Sequence, residues 1–469
     1  MRKINPTRRT FLKQSAAVSV GFLGLQSLLW NACQTANSHP ATPPKVLSNK
    51  KPYGKLIADP NGILNLPEGF SYKIISRVGD VMNDGFLTPG APDGMATFDL
   101  GNGKLAIVRN HELMPKGPGP FGEKNELLGN LSPSKMYDSS SARICQGGTT
   151  TFIYNEKTKQ IEQSWLSLAG TLRNCAGGST PWNSWITCEE VFANKSGKYK
   201  KDHGYNFEVP VTSNIQLAEP IPLKAMGRFS HEAVCVDPST AIVYQTEDQH
   251  DSLIYRFLPN VSGKLHEGGR LQALVITEQK SMDTRNWKTP YNQMPVNQPM
   301  AVEWIDVDGT NLREDTLRFR GFKKGAAKFA RGEGMWFGNG EVYFACTSGG
   351  RTKSGQIFKY IPSKFEGTNR EKEAPAQLEL FLEPNNKDLL KYCDNLTVAP
   401  WGDLVLCEDH GNPFIVGVTP KGELYKLAEN IGFESEFAGS VFSPSGKTLF
   451  VNIQHAGLTL AIEGPWSYS

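Results

Sequence analysis

Acidic residues recur along this chain at the ends of short β-type runs: Glu112, Glu189, Glu190, Glu232, Glu247, Asp248, Glu333, Glu408, Asp409 and Glu436. They belong to units of one design, in which a small or polar residue near a strand start is followed by a tight turn and a second strand with a polar end. The clearest unit runs from Ser230-His231-Glu232-Ala233 through the turn Asp237-Pro238-Ser239-Thr240 to Thr246-Glu247-Asp248. A second runs from Cys393-Asp394-Asn395-Leu396 through Pro400-Trp401-Gly402-Asp403 to Cys407-Glu408-Asp409. Looser copies join Asp93-Gly94-Met95 to Asn110-His111-Glu112, and Asn174-Cys175-Ala176-Gly177 to Cys188-Glu189-Glu190. Two more join Glu333-Gly334-Met335 to Cys346-Thr347, and Glu436-Phe437-Ala438-Gly439 to Gln454-His455. Adjacent side chains of a strand point to opposite faces, so one member of each acidic pair turns toward any shared cavity. Carboxylates gathered in one cavity cannot all stay ionised without compensation, so either some are protonated or cations sit among them. Carboxylates with Asn and carbonyl oxygens are hard ligands that suit calcium. A single acidic pair would read as a solvated rim; its recurrence in most of six units favours metal. The ligand candidates are Glu189, Glu190, Glu232, Glu247, Asp248, Glu333, Glu408 and Asp409.

Cys175 stands apart from the other thiols. It takes the repeat position that other units give to Glu232, Glu333 and Asn395. A thiolate among carboxylates points to a softer ion, iron or zinc. A nucleophilic thiol and an inert buried cysteine are the other readings. Arg331 precedes Gly332-Glu333-Gly334, where glycines let the backbone approach a ligand and the guanidinium can grip an anion in a fork. The catalytic candidates are therefore Cys175, Arg331 and Glu232, with Arg331, Asn174 and Asn110 facing the bound substrate. His111 and His231 each precede a Glu, as ligands or as groups orienting that neighbour. Cys188, Cys235, Cys346 and Cys407 lie in apolar strand contexts and read as small core residues.

Positioning these side chains requires β structure. Runs such as Leu105-Ala106-Ile107-Val108, Val342-Tyr343-Phe344-Ala345 and Leu449-Phe450-Val451-Asn452 are bounded by Gly, Asn, Asp or Pro. Gly101-Asn102-Gly103-Lys104, Gly338-Asn339-Gly340-Glu341 and Pro444-Ser445-Gly446-Lys447 read as hairpin turns. Outer hairpins are expected between 355–360 and 378–381, and between 252–257 and 271–275. Repeated β units that each deliver polar residues to one end imply an all-β fold, a six-bladed β-propeller with a central metal-binding channel. An N-terminal segment is expected to complete the last blade. Thr310 to Phe329 is the expected helix-containing insertion, and Glu278 to Val302 a long loop. One propeller domain is expected over residues 53–469, and a monomer, because a closed ring needs no partner. The net charge of +3 over 469 residues, with charges scattered, gives no basic stripe for nucleic acid.

The first residues read as an address. Thr7-Arg8-Arg9-Thr10-Phe11-Leu12-Lys13 carries the twin-arginine pattern, and the apolar stretch from Ala16 to Leu29 is too short and interrupted for a permanent span. Residues 1–33 are expected to engage the twin-arginine export machinery and 34–52 to form a flexible polar linker. The protein is then periplasmic or extracellular, with Ala32-Cys33 offering a lipid anchor at Cys33 as a membrane tether. Export of folded protein suits a chain that takes up metal before leaving the cytoplasm.

The block Arg173-Asn174-Cys175-Ala176-Gly177-Gly178 through Thr180-Pro181-Trp182 to Trp185-Ile186-Thr187-Cys188-Glu189-Glu190 resembles the most distinctive block of the PhoX-type alkaline phosphatases. Gly227-Arg228-Phe229-Ser230-His231-Glu232-Ala233, Thr246-Glu247-Asp248, Arg331-Gly332-Glu333-Gly334-Met335 and Asp394-Asn395-Leu396 resemble its other motifs, in order. The resemblance runs from about Gly54 to the C-terminus. It implies a six-bladed propeller that hydrolyses phosphate monoesters outside the cytoplasm, using two iron ions bridged by a thiolate with calcium nearby. It further implies Cys175 as the bridge, Glu190, Glu232, Glu247, Glu333 and either Glu408 or Asp409 as ligands, and Arg331 on the phosphate. The alternatives are a non-catalytic calcium-containing propeller that binds a ligand or partner, and a calcium-dependent lactonase or phosphotriesterase-like hydrolase.

Overall fold

In the computed structural model, which describes residues 52–287 and 294–466, the short apolar runs become antiparallel strands. Asn and Gly supply the left-handed turn residues: Asn102 (φ 58°) and Gly103 (φ 78°) turn Pro92–Gly101 into Lys104–His111. Among the described residues one α-helix forms, Leu317–Lys323, inside the insertion where it was expected. No helix there is long and apolar enough to cross a membrane. The twin-arginine segment, Cys33 and nearly all of the linker lie outside the described residues.

Six strands form the inner layer: Pro92–Gly101, Asn174–Ser179, His231–Val236, Gly332–Gly338, Cys393–Val398 and Phe437–Phe442. Each contacts the next, and Phe437–Phe442 contacts Pro92–Gly101, which closes a ring. Apolar clusters fill the wedges between sheets, among them Ile186, Phe229, Val234, Tyr255 and Leu271. The fold is thus all-β and propeller-like.

The expectation of six separate blades is corrected by the hydrogen bonding, which groups the strands into five sheets. Met300–Asp306 is the reason. It pairs with Gly269–Ile276 along one edge and with Ala376–Leu382 along the other, fusing two four-stranded units into one nine-stranded sheet. That strand also takes the end of the stretch expected to be loop. The outer hairpins expected from sequence do pair, Ile254–Pro259 with Gly269–Ile276 and Gln356–Ile361 with Ala376–Leu382. The N-terminal closing strand, which no sequence signal identified, is Ser71–Arg77, paired with Leu458–Glu463. Leu64–Pro67 adds a second closure by pairing with Leu424–Asn430.

Candidate metal centre

One device recurs in all six inner strands. The first bridged pairs are Pro92 with His111, Asn174 with Glu189, His231 with Glu247, Gly332 with Cys346, Cys393 with Glu408, and Phe437 with Ile453. A register shift follows directly in the first five strands, and after one further pair, Ala438 with Asn452, in the sixth. Such bulges bend a strand and re-aim the extra side chain. The residues after the first bridge are Asp93, Cys175, Glu232, Glu333, Asp394 and Ala438. Those after the opposing bridge are Glu112, Glu190, Asp248, Thr347, Asp409 and Gln454. The latter six donate their backbone N–H to the carbonyls of Ala91, Arg173, Ser230, Arg331, Tyr392 and Glu436. Four of these rim residues hold positive φ: Ala91 (43°), Arg173 (45°), Arg331 (54°) and Tyr392 (53°). Positive φ is costly for side chains of this size and marks a backbone held by its surroundings.

Residues of both sets form a continuous cluster. Ligand atoms of Asp93, Glu112 and Cys175 lie within 4.8 Å of one another, as do those of Cys175, Glu190 and Glu232, and those of Glu232, Glu333 and Asp394. Cys175 and Glu232 each belong to two of these groups. Inner strands approach closely enough that a Cβ on Gly94 would come 2.6 Å from the Ala176 Cα, and one on Gly334 2.6 Å from the Asn395 Cα. Burial, reinforced by neighbouring carboxylates, pushes Asp93, Glu232, Glu333, Asp394 and Glu436 well above the carboxylate range. It does the same to Glu190 against the opposing charge of Arg173, and to the Cys175 thiol.

Both Glu232 oxygens are fully buried with no hydrogen-bond partner. Glu333 Oε1 also lacks one; Arg331 Nη2 stands 2.8 Å from it, at ion-pair distance but outside hydrogen-bond geometry. Buried carboxylate oxygens without donors cost free energy that a cation among them removes. The donor set, one sulfur among carboxylates, therefore fits metal ions.

Two arginines stand over the cluster. Arg331 forks onto Asp248, Nε to Oδ1 at 2.7 Å and Nη2 to Oδ2 at 2.9 Å. Glu333 first, then Asp248, hold its guanidinium firmly protonated. Arg173 bonds Glu112 Oε1 through Nε at 2.9 Å and Nη2 at 2.5 Å, and reaches Glu190 Oε2 at 2.7 Å. Both remain partly exposed.

Of the ligand candidates, the structure brings Cys175, Glu190, Glu232 and Glu333 together, with Asp248 and Asp409 beside them as charges acting on Glu333. It turns three away. Glu189 accepts from His203 Nδ1 at 2.7 Å and from the backbone of Leu172, Gly204 and Tyr205. Glu247 is taken up by Tyr255 Oη, the Leu253 N–H and Arg318. Glu408 is taken up by His410, Lys426 and the N–H groups of Lys391 and Phe414. In each acidic pair the first member is the bridged residue facing away from the channel, and the second faces in.

The two asparagines also differ from expectation. Asn174 is sealed between Thr171 and Thr187 Oγ1. Asn110 donates to the carbonyls of Cys175 and Ala176 and accepts from Trp185 Nε1, so it braces the Cys175 backbone and cannot face a substrate. His111 bonds the Gly90 carbonyl and Thr150, and His231 the Gly227 carbonyl, so neither is aimed at the cluster. The position equivalent to Cys175 in the fifth unit is Asp394, while Asn395 accepts from the Gly439 N–H. Asp93, Asp394, Glu112 and Arg173 were the residues sequence reasoning left out of the site. Asp93, Cys175 and Asp394 each follow the first bridged pair of their unit by one residue, a register set by hydrogen bonding that no residue type marks.

The sequence matches the family model described as alkaline phosphatase PhoX over residues 51–161 and 136–457. No protein of curated function matches it. Among solved structures, Pseudomonas fluorescens PhoX in complex with vanadate, a transition state analogue, superposes with a TM-score of 0.61 at 17% identity, over 90% of this chain and 98% of that one. A gluconolactonase from Xanthomonas campestris aligns with a TM-score of 0.36 at 12% identity, over 89% and 100% of the two chains. A putative 6-phosphogluconolactonase from Bacteroides uniformis gives 0.37 at 12% identity, over 84% and 92%.

Proposed function

The chain belongs to the PhoX family of alkaline phosphatases, and from that premise we propose that it hydrolyses phosphate monoesters, releasing inorganic phosphate, with metal ions held in the channel. The observation that carries the reading is Glu232: a buried carboxylate with neither oxygen bonded, between Cys175 on one side and Glu333 and Asp394 on the other. Asp93, Glu112, Cys175, Glu190, Glu232, Glu333 and Asp394 would hold the ions. The oxygen-rich part of the set suits calcium, and the thiolate suits iron. Bound ions supply Lewis acidity, drawing charge from the phosphoryl oxygens and favouring the attacking and leaving oxygens alike.

The protein's own groups bind and orient the ester. Arg331, kept in one plane by the Asp248 fork, presents its remaining N–H groups to two phosphate oxygens, and Arg173 offers a second cation across the mouth. Glu112 and Glu190 hold Arg173 as Asp248 holds Arg331. Asn110 fixes the Cys175 carbonyl, and so the direction of its thiol. Charge that develops on the phosphoryl group then meets donors that need not reorganise.

Six inner strands, one for each repeat, ring the channel of this propeller-like domain. We assign residues 53–469 to that domain, working as a monomer. Arg8-Arg9 would direct the folded protein through the twin-arginine machinery to the periplasm or exterior, with Cys33 as its lipid tether and 34–52 as the linker.

The test is p-nitrophenyl phosphate hydrolysis by the purified protein before and after calcium chelation, with add-back. Turnover lost on chelation and restored by calcium is the expected result. A folded, metal-loaded sample without turnover would remove the monoesterase reading.

A further inference from the structure

Away from the channel, a second group of chemistry-bearing side chains converges. Asp138 lies in the loop before Gly147–Asn155, Cys145 two residues ahead of that strand, and His203 three ahead of Asn206–Pro210. All three are fully buried. His203 Nε2 stands 3.3 Å from Asp138 Oδ2 and 4.0 Å from Cys145 Sγ, and the three ligand atoms lie within 4.8 Å of one another. Zinc with bond lengths of about 2.0–2.3 Å to N, O and S in a tetrahedron would separate its donors by roughly 3.4–3.7 Å. The observed distances bracket that spacing.

The other ring nitrogen supplies the second, independent observation. His203 Nδ1 bonds Glu189 Oε1 at 2.7 Å, and Glu189 is itself pinned by the N–H groups of Leu172, Gly204 and Tyr205. A histidine that gives Nδ1–H to a fixed carboxylate and turns Nε2 toward a thiol and a second carboxylate has the arrangement that orients metal-ligating imidazoles. Asp138 is fixed likewise, by the N–H groups of Ser140 and Lys201. The rings of Tyr137 and Tyr199 stand edge-on to His203 at 5.3 Å each, and Leu172 packs with Cys145 and Tyr199, so the chamber is closed and apolar-walled.

We propose that Asp138, Cys145 and His203 form a structural site for one zinc-class divalent ion, separate from the channel cluster, with Glu189 as the residue that orients its histidine. Nitrogen, sulfur and oxygen donors together select a borderline ion over calcium. Binding displaces one proton from the Cys145 thiol, and one from Nε2 where His203 is protonated, to solvent. The competing occupant is that proton. Burial alone would lower His203, but Glu189 and Asp138 raise it to about 12, so without metal an imidazolium fills the same place. The site ties the Asp138 loop to the segment that carries Glu189 and Glu190, which explains how an acid facing away from the channel serves it.

The experiment uses the full chain and its Cys175→Ser variant, which removes the only thiol of the channel cluster. Each is stripped, refilled with cobalt(II) or zinc, and examined by elemental analysis and absorption spectroscopy. The expected result is one tightly held ion per chain in Cys175→Ser beyond those released by calcium chelators, with a thiolate-to-cobalt charge-transfer band. Cys145→Ser in the Cys175→Ser background loses the band. Cys145→Asp in that background keeps a ligand, and so keeps the ion while losing the band. Folded Cys175→Ser protein that takes up no such ion, or a band unchanged by Cys145→Ser, overturns the proposal; an imidazolium at His203 in zinc-saturated protein does the same.

Discussion

At the scale of single residues, adjacent carboxyls at one strand end point to opposite faces and meet opposite surroundings. Glu189 and Glu190 are adjacent and both buried, yet one accepts from three backbone N–H groups and a histidine while the other joins the Cys175 cluster. Glu232 is the extreme case, a carboxylate with no donor at all. Replacing it with Met fills the same space without a polar group that only metal compensates. Glu232→Met is expected to stabilise the chelated protein by about 1–3 kcal/mol, the cost of an unsatisfied buried polar group, and to lower activity of the loaded protein on the order of 100-fold. Thermal unfolding in chelator and a phosphatase assay in metal read the two effects separately. Destabilisation in chelator would mean that Glu232 has a protein partner the geometry does not show. Strand alternation told from sequence that one acid of each pair faces the channel. It did not tell which, because the answer depends on the bridged pair and the bulge after it. A bulge is one residue of extra backbone with no required residue type, so Asn395 and Asp394 exchange roles without any mark in the sequence.

At the scale of elements, two features position the site. The first is close approach between inner strands. Gly334 faces the backbone of Asp394, Asn395 and Leu396, where a Cβ would meet atoms at 2.6–2.7 Å. Backbone cannot swing aside as a side chain can, so Gly334→Ala is expected to cost about 1–3 kcal/mol by overpacking. It should also weaken metal retention, because Glu333 and Asp394 flank the displaced backbone. Denaturant unfolding and metal content measured together test this; unchanged values in both would mean that the strands have slack. The second is the fused sheet. Glu366 accepts from Arg256 Nη1 at 2.5 Å, Tyr360 Oη at 2.6 Å, Tyr244 Oη at 3.1 Å and the Ser363 N–H at 2.8 Å. Tyr360 in turn accepts from Trp304 Nε1 on the bridging strand Met300–Asp306. The network thus spans both halves of the nine-stranded sheet. Glu366→Ala strands the Tyr244 and Tyr360 hydroxyls while Arg256 keeps Glu371, and is expected to destabilise by about 1–3 kcal/mol, a loss that urea unfolding would register. The repeated hairpins were legible in the sequence. The bridging strand was not, because its residues follow a polar, Pro-containing stretch and its pairing is set by two edges distant in sequence.

At the scale of the molecule, the ring is closed by residues from its two ends. Ser71–Arg77 pairs with Leu458–Glu463, and Leu64–Pro67 with Leu424–Asn430, so the N-terminal segment completes two sheets whose inner strands are Cys393–Val398 and Phe437–Phe442. Trp466 seals that junction. Its ring is edge-on to Phe70 at 4.8 Å, Phe442 at 5.1 Å and Tyr53 at 6.2 Å, and stacks on Trp401 at 5.7 Å, joining both ends of the chain to two sheets. A propeller opened at one seam loses no inner strand, but it frees the strands that need the seam to stay paired. Trp466→Ala is therefore expected to lower stability by about 3–5 kcal/mol, the usual cost of truncating a buried tryptophan. Amide exchange should quicken together in Ser71–Arg77, Leu458–Glu463 and Leu424–Asn430, while Asn174–Ser179 across the ring stays protected. The grouped ligand atoms come from five units, while the sixth lends Gln454, as donor to Asp93 and Glu112, and the Glu436 carboxyl beside Asp409 and Asp93. Turnover per folded, metal-loaded molecule should accordingly change little in this variant. Exchange that rises only in Leu458–Glu463 would show that the two closures act independently and that the seam is not one cooperative unit. A rise spread evenly over all six inner strands would show instead that the ring opens as a whole, with no local seam.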